Sequence, residues 1–226
     1  MLYESVILGR FQSRPNRFVA HVRLEGETIV CHVKNTGRCR ELFVKDAKVV
    51  LAKSDNPARK TKYDVIAVYK GDKLINIDSQ APNQVFREWA EGGGFLPDAS
   101  LIRPEYTYGQ SRLDFYVQAG DKRCLVEIKG VTLEEDGHAC FPDAPTLRGV
   151  KHLRELAAAV HDGYECYVIF VIQMCGVHCF SPNEATDPNF AKELRQAAEA
   201  GVHVLAYDCR VTEDSLVMGE PVPVFV

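Results

Sequence analysis

The stretch CLVEIKG, at residues 124–130, decides the fold of the C-terminal part of the chain. Successive residues of a β-strand point to opposite faces of the sheet, so the side chains of this stretch separate into two sets. Val126 and Ile128 fall on an apolar face that can pack into a core. Glu127 and Lys129 fall together on the other face. We therefore predict a buried strand that presents a carboxylate and an ammonium group side by side.

The preceding run RLDFYV, at residues 112–117, alternates in the same way. Its apolar side chains share one face, and Asp114 lies on the other. Residues 119–121 (AGD) predict a short turn between the two strands, which pairs them antiparallel. We therefore expect Asp114 beside Glu127 on one face of a sheet.

The predicted cluster of Asp114, Glu127 and Lys129 has the composition of a metal site. Two neighbouring carboxylates repel each other unless a cation lies between them, and Mg²⁺ prefers oxygen ligands and shares its shell with substrate phosphate. Such a site predicts phosphodiester hydrolysis, in which the metal activates a water and Lys129 orients that water or neutralises developing charge. The alternative is structural, because a Glu and a Lys two residues apart often form only the solvated face of a sheet.

The remainder of the C-terminal part alternates helices with strands. Apolar residues at three-four spacing, with Thr146 as an N-cap, indicate an amphipathic helix in the middle of this part. Helices are predicted at 83–91, 146–160 and 187–200, and buried strands at 164–173 and 202–207. This alternation is typical of an α/β layer with at least one parallel strand pair.

Residues 1–80 contain short strands separated by turns. Period-two alternation predicts five strands, at 18–24, 28–33, 48–52, 63–69 and 74–77. Five short strands without a long helix are typical of a small barrel such as the OB-fold, which binds oligonucleotides. We therefore predict a two-domain α/β (α+β) protein, with an OB-like β-barrel at 1–80 and an α/β domain with a mixed sheet at 81–226.

The charge of the chain divides at the same place. Residues 1–80 contain 15 Lys and Arg against 9 Asp and Glu, whereas residues 81–226 contain 12 against 22, for a net charge of −4. A basic module beside an acidic one suggests a polyanionic partner. A solvated surface with unevenly distributed charge has the same composition.

No segment of the sequence predicts a membrane span or a secretion signal. The longest apolar run lies within residues 164–174, well short of the roughly 20 residues that a membrane helix needs. The N-terminal residues lack the basic start of a signal peptide, so we expect a cytoplasmic protein with its eight Cys reduced. The CGVHC cluster at 175–179 favours a turn over a zinc site because no second half follows at zinc-finger spacing.

Several motifs resemble known families. Asp114 followed by Glu127-Ile128-Lys129 is similar to the signature of the PD-(D/E)XK nucleases, without its Pro. A longer series of motifs runs through most of the chain in order: RPNRF (14–18), HVKNTGR (32–38), SRLDF (111–115), VEIKGVTL (126–133), FPDAPT (141–146) and KHL (151–153). This series resembles the sugar fermentation stimulation protein A (SfsA) family.

The resemblance implies a DNA-binding protein with an N-terminal OB-like domain and a C-terminal nuclease-like domain. Carried over to this chain, it makes Asp114 and Glu127 metal ligands and Lys129 the catalytic lysine, with Mg²⁺ or Mn²⁺ as the cofactor. A Glu of the first helix often completes such a site, and Glu88 is favoured over Glu91, which abuts the glycines where the helix ends. Either Glu can equally lie on a solvated helix face.

Two loops of the N-terminal domain supply cations and amides that suit phosphate. The predicted DNA-binding residues are Arg14, Asn16, Arg17, Lys34, Asn35, Arg38 and Arg40. A polar hairpin turn is the alternative for these loops. Lys151 and His152 of the helix at 146–160 either face the cleft or belong to an exposed ion-pair face.

The leading hypothesis is therefore a DNA-binding protein with an Mg²⁺-dependent nuclease-type site. The alternative is a non-catalytic DNA-binding transcriptional regulator of sugar (maltose) metabolism that retains the nuclease fold. A small-molecule regulator has only the family name in its favour. DNA is the expected partner, with no membrane involved, and the oligomeric state stays open, a homodimer included.

Overall fold

The structure is a computed structural model that describes residues 1–54, 56 and 58–226. Its N-terminal half is a β-barrel. The strands of this half are β1 (Val6–Asn16), β2 (Val19–Leu24), β3 (Glu27–Val33), β4 (Lys48–Lys53), β5 (Tyr63–Lys70) and β6 (Lys73–Asn76).

Five of these strands close the barrel. β1 pairs antiparallel with β2 and β4, β2 with β3, and β4 with β5, and β3 then meets β5 in parallel through His32 and Val33. β6 extends β5 as a hairpin. The OB-like barrel is confirmed, but the sequence predicted only β2 to β6. It missed β1, which forms the centre of the barrel sheet.

The C-terminal half contains three helices and a larger set of strands. The elements are α1 (Ala81–Glu91), β7 (Ala99–Tyr108), β8 (Ser111–Ala119), β9 (Lys122–Val131), β10 (Leu133–Glu135), β11 (His138–Phe141), α2 (Leu147–His161), β12 (Glu165–Ile172), β13 (Cys179–Pro182), α3 (Pro188–Glu199), β14 (His203–Val211) and β15 (Leu216–Pro221).

A mixed six-stranded sheet forms the centre of this half, in the order β15-β14-β12-β9-β8-β7. β9, β12 and β14 are parallel, and the outer pairs are antiparallel. α1 covers one face of the sheet, where Phe86 packs on Phe115 with ring centroids 4.9 Å apart. α2 and α3 cover the other face, around Phe170. The predicted mixed α/β sheet is therefore confirmed.

Two capping residues fix the starts of α2 and α3. Thr146 caps α2 as predicted, since its Oγ1 accepts from the backbone N of Gly149 at 3.0 Å. Asp187 caps α3 through Phe190 N at 3.0 Å, and its second oxygen accepts from Thr146 N at 2.8 Å. The two helices therefore begin from one hydrogen-bonded corner, which sets α2 against the central sheet.

The barrel and the sheet share one apolar core. The cluster that contains Val49 and Val65 of the barrel continues into Leu153 of α2 and Phe170 of β12. Gln173, just after β12, is buried and donates to the side chain of Asn76 at 2.9 Å. Such a continuous core holds the barrel in a defined position beside the sheet. The boundary at 80/81 stays a prediction.

Candidate functional site

The pairing of β8 with β9 brings the two predicted carboxylates together. Phe115 lies opposite Val126, and Asp114 and Glu127 are the next residues along that register. Asp114 Oδ2 accepts from Ile128 N at 2.8 Å, and its Oδ1 accepts from Asn83 Nδ2 of α1 at 2.8 Å. The Asp114 carboxylate is therefore held by both the neighbouring strand and the helix above it.

Glu127 has an asymmetric environment. Its side chain is 3% exposed, and its Oε1 accepts from Lys129 Nζ at 2.5 Å and from His152 Nδ1. Its other oxygen, Oε2, is buried and has no hydrogen-bond partner among the described residues. A buried carboxylate oxygen without a donor costs free energy. Among the described residues, Glu41 Oε1 and Glu155 Oε2 share this property, but of these three acids Glu127 alone lines a cavity together with Asp114.

The two carboxylates differ in their tendency to ionise. Burial raises the pKa of Asp114, and the charge of Glu127 raises it further. Burial also raises the pKa of Glu127, but Lys129 and His152 outweigh burial, so that its pKa lies below the usual value. This separation is expected when two acids share one site and only one of them has cationic partners.

The donor set fits a hard divalent cation. Asp114 and Glu127 supply carboxylate oxygens, and no Cys lies among the residues that line the cavity in front of them. Mg²⁺ and Mn²⁺ prefer such oxygen donors. Among the described residues no group of three His, Cys, Asp or Glu is arranged to hold a metal ion. An ion bound here would therefore keep several water ligands.

Glu88 is not among the residues that line the cavity of Glu127. Its carboxylate binds the N-terminal ammonium of Met1 and accepts from Gln84 Nε2 at 3.0 Å. Glu91 pairs with Arg87 at 2.7 Å. Both acids line a 590 Å³ groove that also reaches Asp114. Glu88 as a third ligand stays a prediction, and it requires Glu88 to leave Met1.

His152 belongs to the site, although the sequence left its role open. It is 4% exposed and binds Glu127, whereas Lys151 points outward and donates to Gln110 O at 2.9 Å. The spacing along the helix distinguishes the buried His152 from the exposed Lys151. His152 lies one turn from Gly149 and from Leu156 on the buried side of α2.

The carboxylates open on a 630 Å³ cavity between the barrel and the sheet. The barrel contributes Thr36, and the sheet side contributes Lys129 and Arg148. A 290 Å³ hollow adjoins it and shares Thr36 and Thr146. A 660 Å³ groove over the barrel loops shares Thr36 in turn. The surface therefore runs from the barrel loops to the carboxylates with Thr36 at its centre.

Three of the predicted DNA-binding residues point their charge outward. Arg17, Arg38 and Arg40 are exposed and line the 660 Å³ groove. In the part of the chain that the structure describes, no carboxylate lies within ion-pair distance of their side chains. Their guanidinium groups are therefore available to a phosphate.

The other four predicted DNA-binding residues hold the loops in shape. Arg14 donates to the carbonyl oxygens of Arg38, Arg17 and Asn35, at 2.7, 2.9 and 2.8 Å. Lys34 forms a 2.6 Å ion pair with buried Asp78.

The two amides of the set form turns within their own loops. Asn16 accepts from Phe18 N at 2.9 Å, and Asn35 accepts from Gly37 N at 2.6 Å. Asn35 also donates to the carbonyl oxygen of Ile77 at 2.8 Å. These bonds shape the loops that carry the exposed arginines. Arg14 and Asn16 also line the 660 Å³ groove, and DNA contact by these four residues stays a prediction.

These features define a two-module protein in which an OB barrel stands beside a mixed α/β sheet. A family model described as "SfsA N-terminal OB domain" matches residues 13–77. A second model, described as "Sugar fermentation stimulation protein RE domain", matches residues 80–215. The chain belongs to the SfsA family.

Similar proteins match this chain over almost its whole length. The sugar fermentation stimulation protein homologs of Desulfitobacterium hafniense (strain DSM 10664 / DCB-2) and Clostridium beijerinckii are 55% and 53% identical, covering 99% and 96% of this chain and 98% and 96% of their own lengths. The structure of SfsA from Pyrococcus furiosus in complex with Ca²⁺ is 27% identical, with a TM-score of 0.90, and the match covers 100% of this chain and 98% of that one. No helix among the described residues is long and apolar enough to cross a membrane.

Proposed function

We propose that this protein binds DNA and hydrolyses its phosphodiester bonds with Mg²⁺ or Mn²⁺ at Asp114 and Glu127. The observation that carries the proposal is the buried, unpartnered Oε2 of Glu127 beside Asp114. The Ca²⁺ complex of the Pyrococcus furiosus relative supports it, because Ca²⁺ takes the same class of oxygen ligands. When bound, the ion would polarise a phosphoryl oxygen and lower the pKa of a bound water.

The residues of the chain have separate tasks in this proposal. Asn83 and Ile128 N fix the Asp114 carboxylate, which lines the same cavity as Glu127. Lys129 is only partly exposed and lines the cavity. Its ammonium group neutralises charge that develops on the phosphate in the transition state.

The outward arginines of the barrel supply DNA affinity in the proposal. Arg17, Arg38 and Arg40 line one end of the surface that leads to the carboxylates. Arginine side chains contact phosphates without reading base sequence. Arg148 lines the cavity at the other end. A bound strand then extends from the barrel loops across Thr36 to the reacting bond.

A cleavage panel with matched variants tests the nuclease proposal. Single-stranded, duplex and branched DNA are incubated with wild type, Glu127→Gln and Lys129→Met, each with Mg²⁺, Mn²⁺ or EDTA. We expect metal-dependent cleavage by the wild type and at least about 100-fold slower cleavage by both variants. Glu199→Gln serves as the control, because Glu199 is exposed on α3 and lines none of the cavities described above. Absence of cleavage of every substrate with either metal overturns the proposal.

A second function has one observation in its favour. Glu127 Oε1 is already occupied by Lys129 and His152, and Glu88 binds Met1, so the metal would have only two carboxylates. A DNA-binding regulator without catalysis fits that arrangement. It predicts that Lys129→Met retains wild-type DNA affinity and that the wild type cleaves no DNA. Its link to sugar metabolism rests on the family name alone.

A further inference from the structure

The structure assigns a role to His152 that the resemblance to the family does not give it. We propose that His152 is a positioning residue that fixes Glu127 as a metal ligand, and that Arg148 keeps His152 in the required tautomer. The inference rests on the proposed metal-dependent function and deepens it. It rests on three side chains in contact, Arg148, His152 and Glu127, which connect the cavity wall to the carboxylate with the unpartnered oxygen.

The contact of Arg148 with His152 decides which ring nitrogen of the imidazole carries the proton. Arg148 Nε donates to His152 Nε2 at 3.4 Å. A guanidinium group can only donate, so Nε2 is the acceptor and Nδ1 carries the ring proton. Nδ1 is the atom that meets Glu127 Oε1. The contact is therefore a donation from His152 to the carboxylate, whose direction the neighbouring arginine fixes.

The contacts of Lys129 and His152 with Glu127 fix the rotation of its carboxylate. Lys129 Nζ and His152 Nδ1 both donate to Oε1, from β9 itself and from α2. Two donors on one oxygen hold the carboxylate plane and leave Oε2 as the only oxygen free to bind an ion. Lys129 is attached to the same strand by a flexible side chain, whereas His152 is buried and rigid. The imidazole is therefore the group that defines the direction of Oε2.

The start of α2 fixes the position of His152. The helix starts at the corner formed by Thr146 and Asp187. A Cβ atom at Gly149 would lie 2.9 Å from Thr146 and 3.1 Å from Phe190. Glycine at 149 thus permits the close packing of the first turn of α2 against its cap residue and against α3, one turn before His152. His152 is 4% exposed and is not among the residues that line the cavity, so it acts through Glu127.

Such supporting residues have a measurable signature. Loss of a hydrogen bond to a metal-binding carboxylate or imidazole lowers metal affinity about 10- to 100-fold. A residue that served only to stabilise the fold would lower the melting temperature and leave metal affinity unchanged. The two roles are separated by measuring Mn²⁺ binding directly, without DNA and without turnover.

The test is calorimetric titration of Mn²⁺ into wild type, His152→Asn, His152→Gln and His152→Phe. The amide of Asn occupies the place of Nδ1 and can still donate to Glu127, whereas the amide of Gln occupies the place of Nε2. We expect His152→Asn to bind Mn²⁺ within about threefold of wild type. His152→Gln and His152→Phe are expected to bind about 10- to 100-fold more weakly. His161→Phe, an exposed position on the same helix, is the control.

Each result has one meaning. If the wild type does not bind Mn²⁺, the proposed metal-dependent function fails. If the wild type binds Mn²⁺ and His152→Gln and His152→Phe bind equally well, the positioning role of His152 fails while the metal site stands. Equal weakening in His152→Asn and His152→Gln also overturns it, because donation from the Nδ1 position would then be irrelevant. Should His152→Phe fail to fold, the comparison of Asn with Gln decides the question.

Discussion

The neighbours of Glu127 are set by two periodicities. Alternation along β9 places it with Lys129, and the register with β8 places it beside Asp114. Both relations follow from local sequence, and for that reason the shared face was predictable. The third neighbour, His152, comes from α2. Helical spacing from Gly149 and Leu156 could have placed His152 on the buried side of α2, but its contact with Glu127 depends on how α2 packs on the sheet.

Lys34 has a partner that the sequence of its own loop does not indicate. The loop composition predicts a phosphate contact, but Lys34 Nζ lies 2.6 Å from Asp78 Oδ2 and that carboxylate is fully buried. The partner stands 44 residues further along the chain. A pairing of this kind depends on how the barrel closes, so the sequence of the loop does not reveal it.

Replacing Lys34 should therefore reduce stability. Lys34→Met leaves the buried Asp78 without its cation, and among the described residues Tyr3 and Gln80 N are the remaining donors to its carboxylate. We expect the free energy of unfolding to fall by about 2–3 kcal/mol. Urea denaturation at pH 7 measures it. Arg38→Met on the same loop is the matched control, and it should change stability by less than about 0.5 kcal/mol while weakening DNA binding. Equal urea midpoints for Lys34→Met and wild type would contradict the prediction.

At the level of elements, regular strands were easier to predict than irregular ones. β2 to β6 follow the period-two pattern, but β1 is interrupted by register shifts between Phe11 and Ser13 and again before Asn16. Each shift moves the apolar residues to the other face, which hides the strand from a pattern search. The hairpin of β10 and β11 was also not predicted, because each of its strands is so short.

That hairpin carries an ion cluster that binds it to the barrel. Glu134 of β10 is 5% exposed. It accepts from Lys73 at 2.7 Å, from Lys70 at 3.1 Å and from Gly137 N at 2.6 Å. Burial alone would raise the pKa of Glu134, but these donors outweigh it and lower the pKa from 4.5 to about 2. The folded state therefore binds a proton here less readily than the unfolded chain.

The cluster predicts a loss of stability in acid. Because the folded pKa lies below the unfolded value, the contribution of Glu134 is fully present above about pH 4.5 and disappears as the pH falls towards about 2. Glu134→Gln should reduce the free energy of unfolding by about 1–2 kcal/mol at pH 7. The difference from wild type should shrink steadily below pH 4.5. Urea denaturation of both proteins across that range measures it. A difference that is independent of pH would refute the role of the ionised carboxylate.

For the whole molecule, the proposed function depends on how the two modules are arranged. Pattern reasoning predicts a barrel and a sheet, yet the shared core that places one beside the other arises from residues far apart in sequence, such as Val65 and Phe170. Thr36 of a barrel loop and Lys129 of the sheet line one cavity as a result. A barrel and a sheet moving independently would not keep basic loops and carboxylates on one continuous surface.

The joint surface makes a prediction about salt. Each phosphate contact that is lost should reduce the slope of log affinity against log salt concentration by about 0.9 for duplex DNA and about 0.7 for single strands. Arg17→Ala, Arg38→Ala and Arg40→Ala combined should therefore lower the slope by about 2–3, without changing the melting temperature. Fluorescence anisotropy at several salt concentrations, with EDTA present to prevent cleavage, measures it.

The control for the salt measurement is an arginine outside the basic loops. Arg154 of α2 is exposed and pairs with Glu193 of α3 at 2.8 Å, so Arg154→Ala should leave the salt slope unchanged. If the triple variant keeps the wild-type slope, DNA does not contact the barrel loops. If the Arg154 variant loses as much slope as the triple variant, binding follows the total charge of the protein. Only a loss confined to the triple variant agrees with a strand that starts at the barrel loops and leads to Glu127.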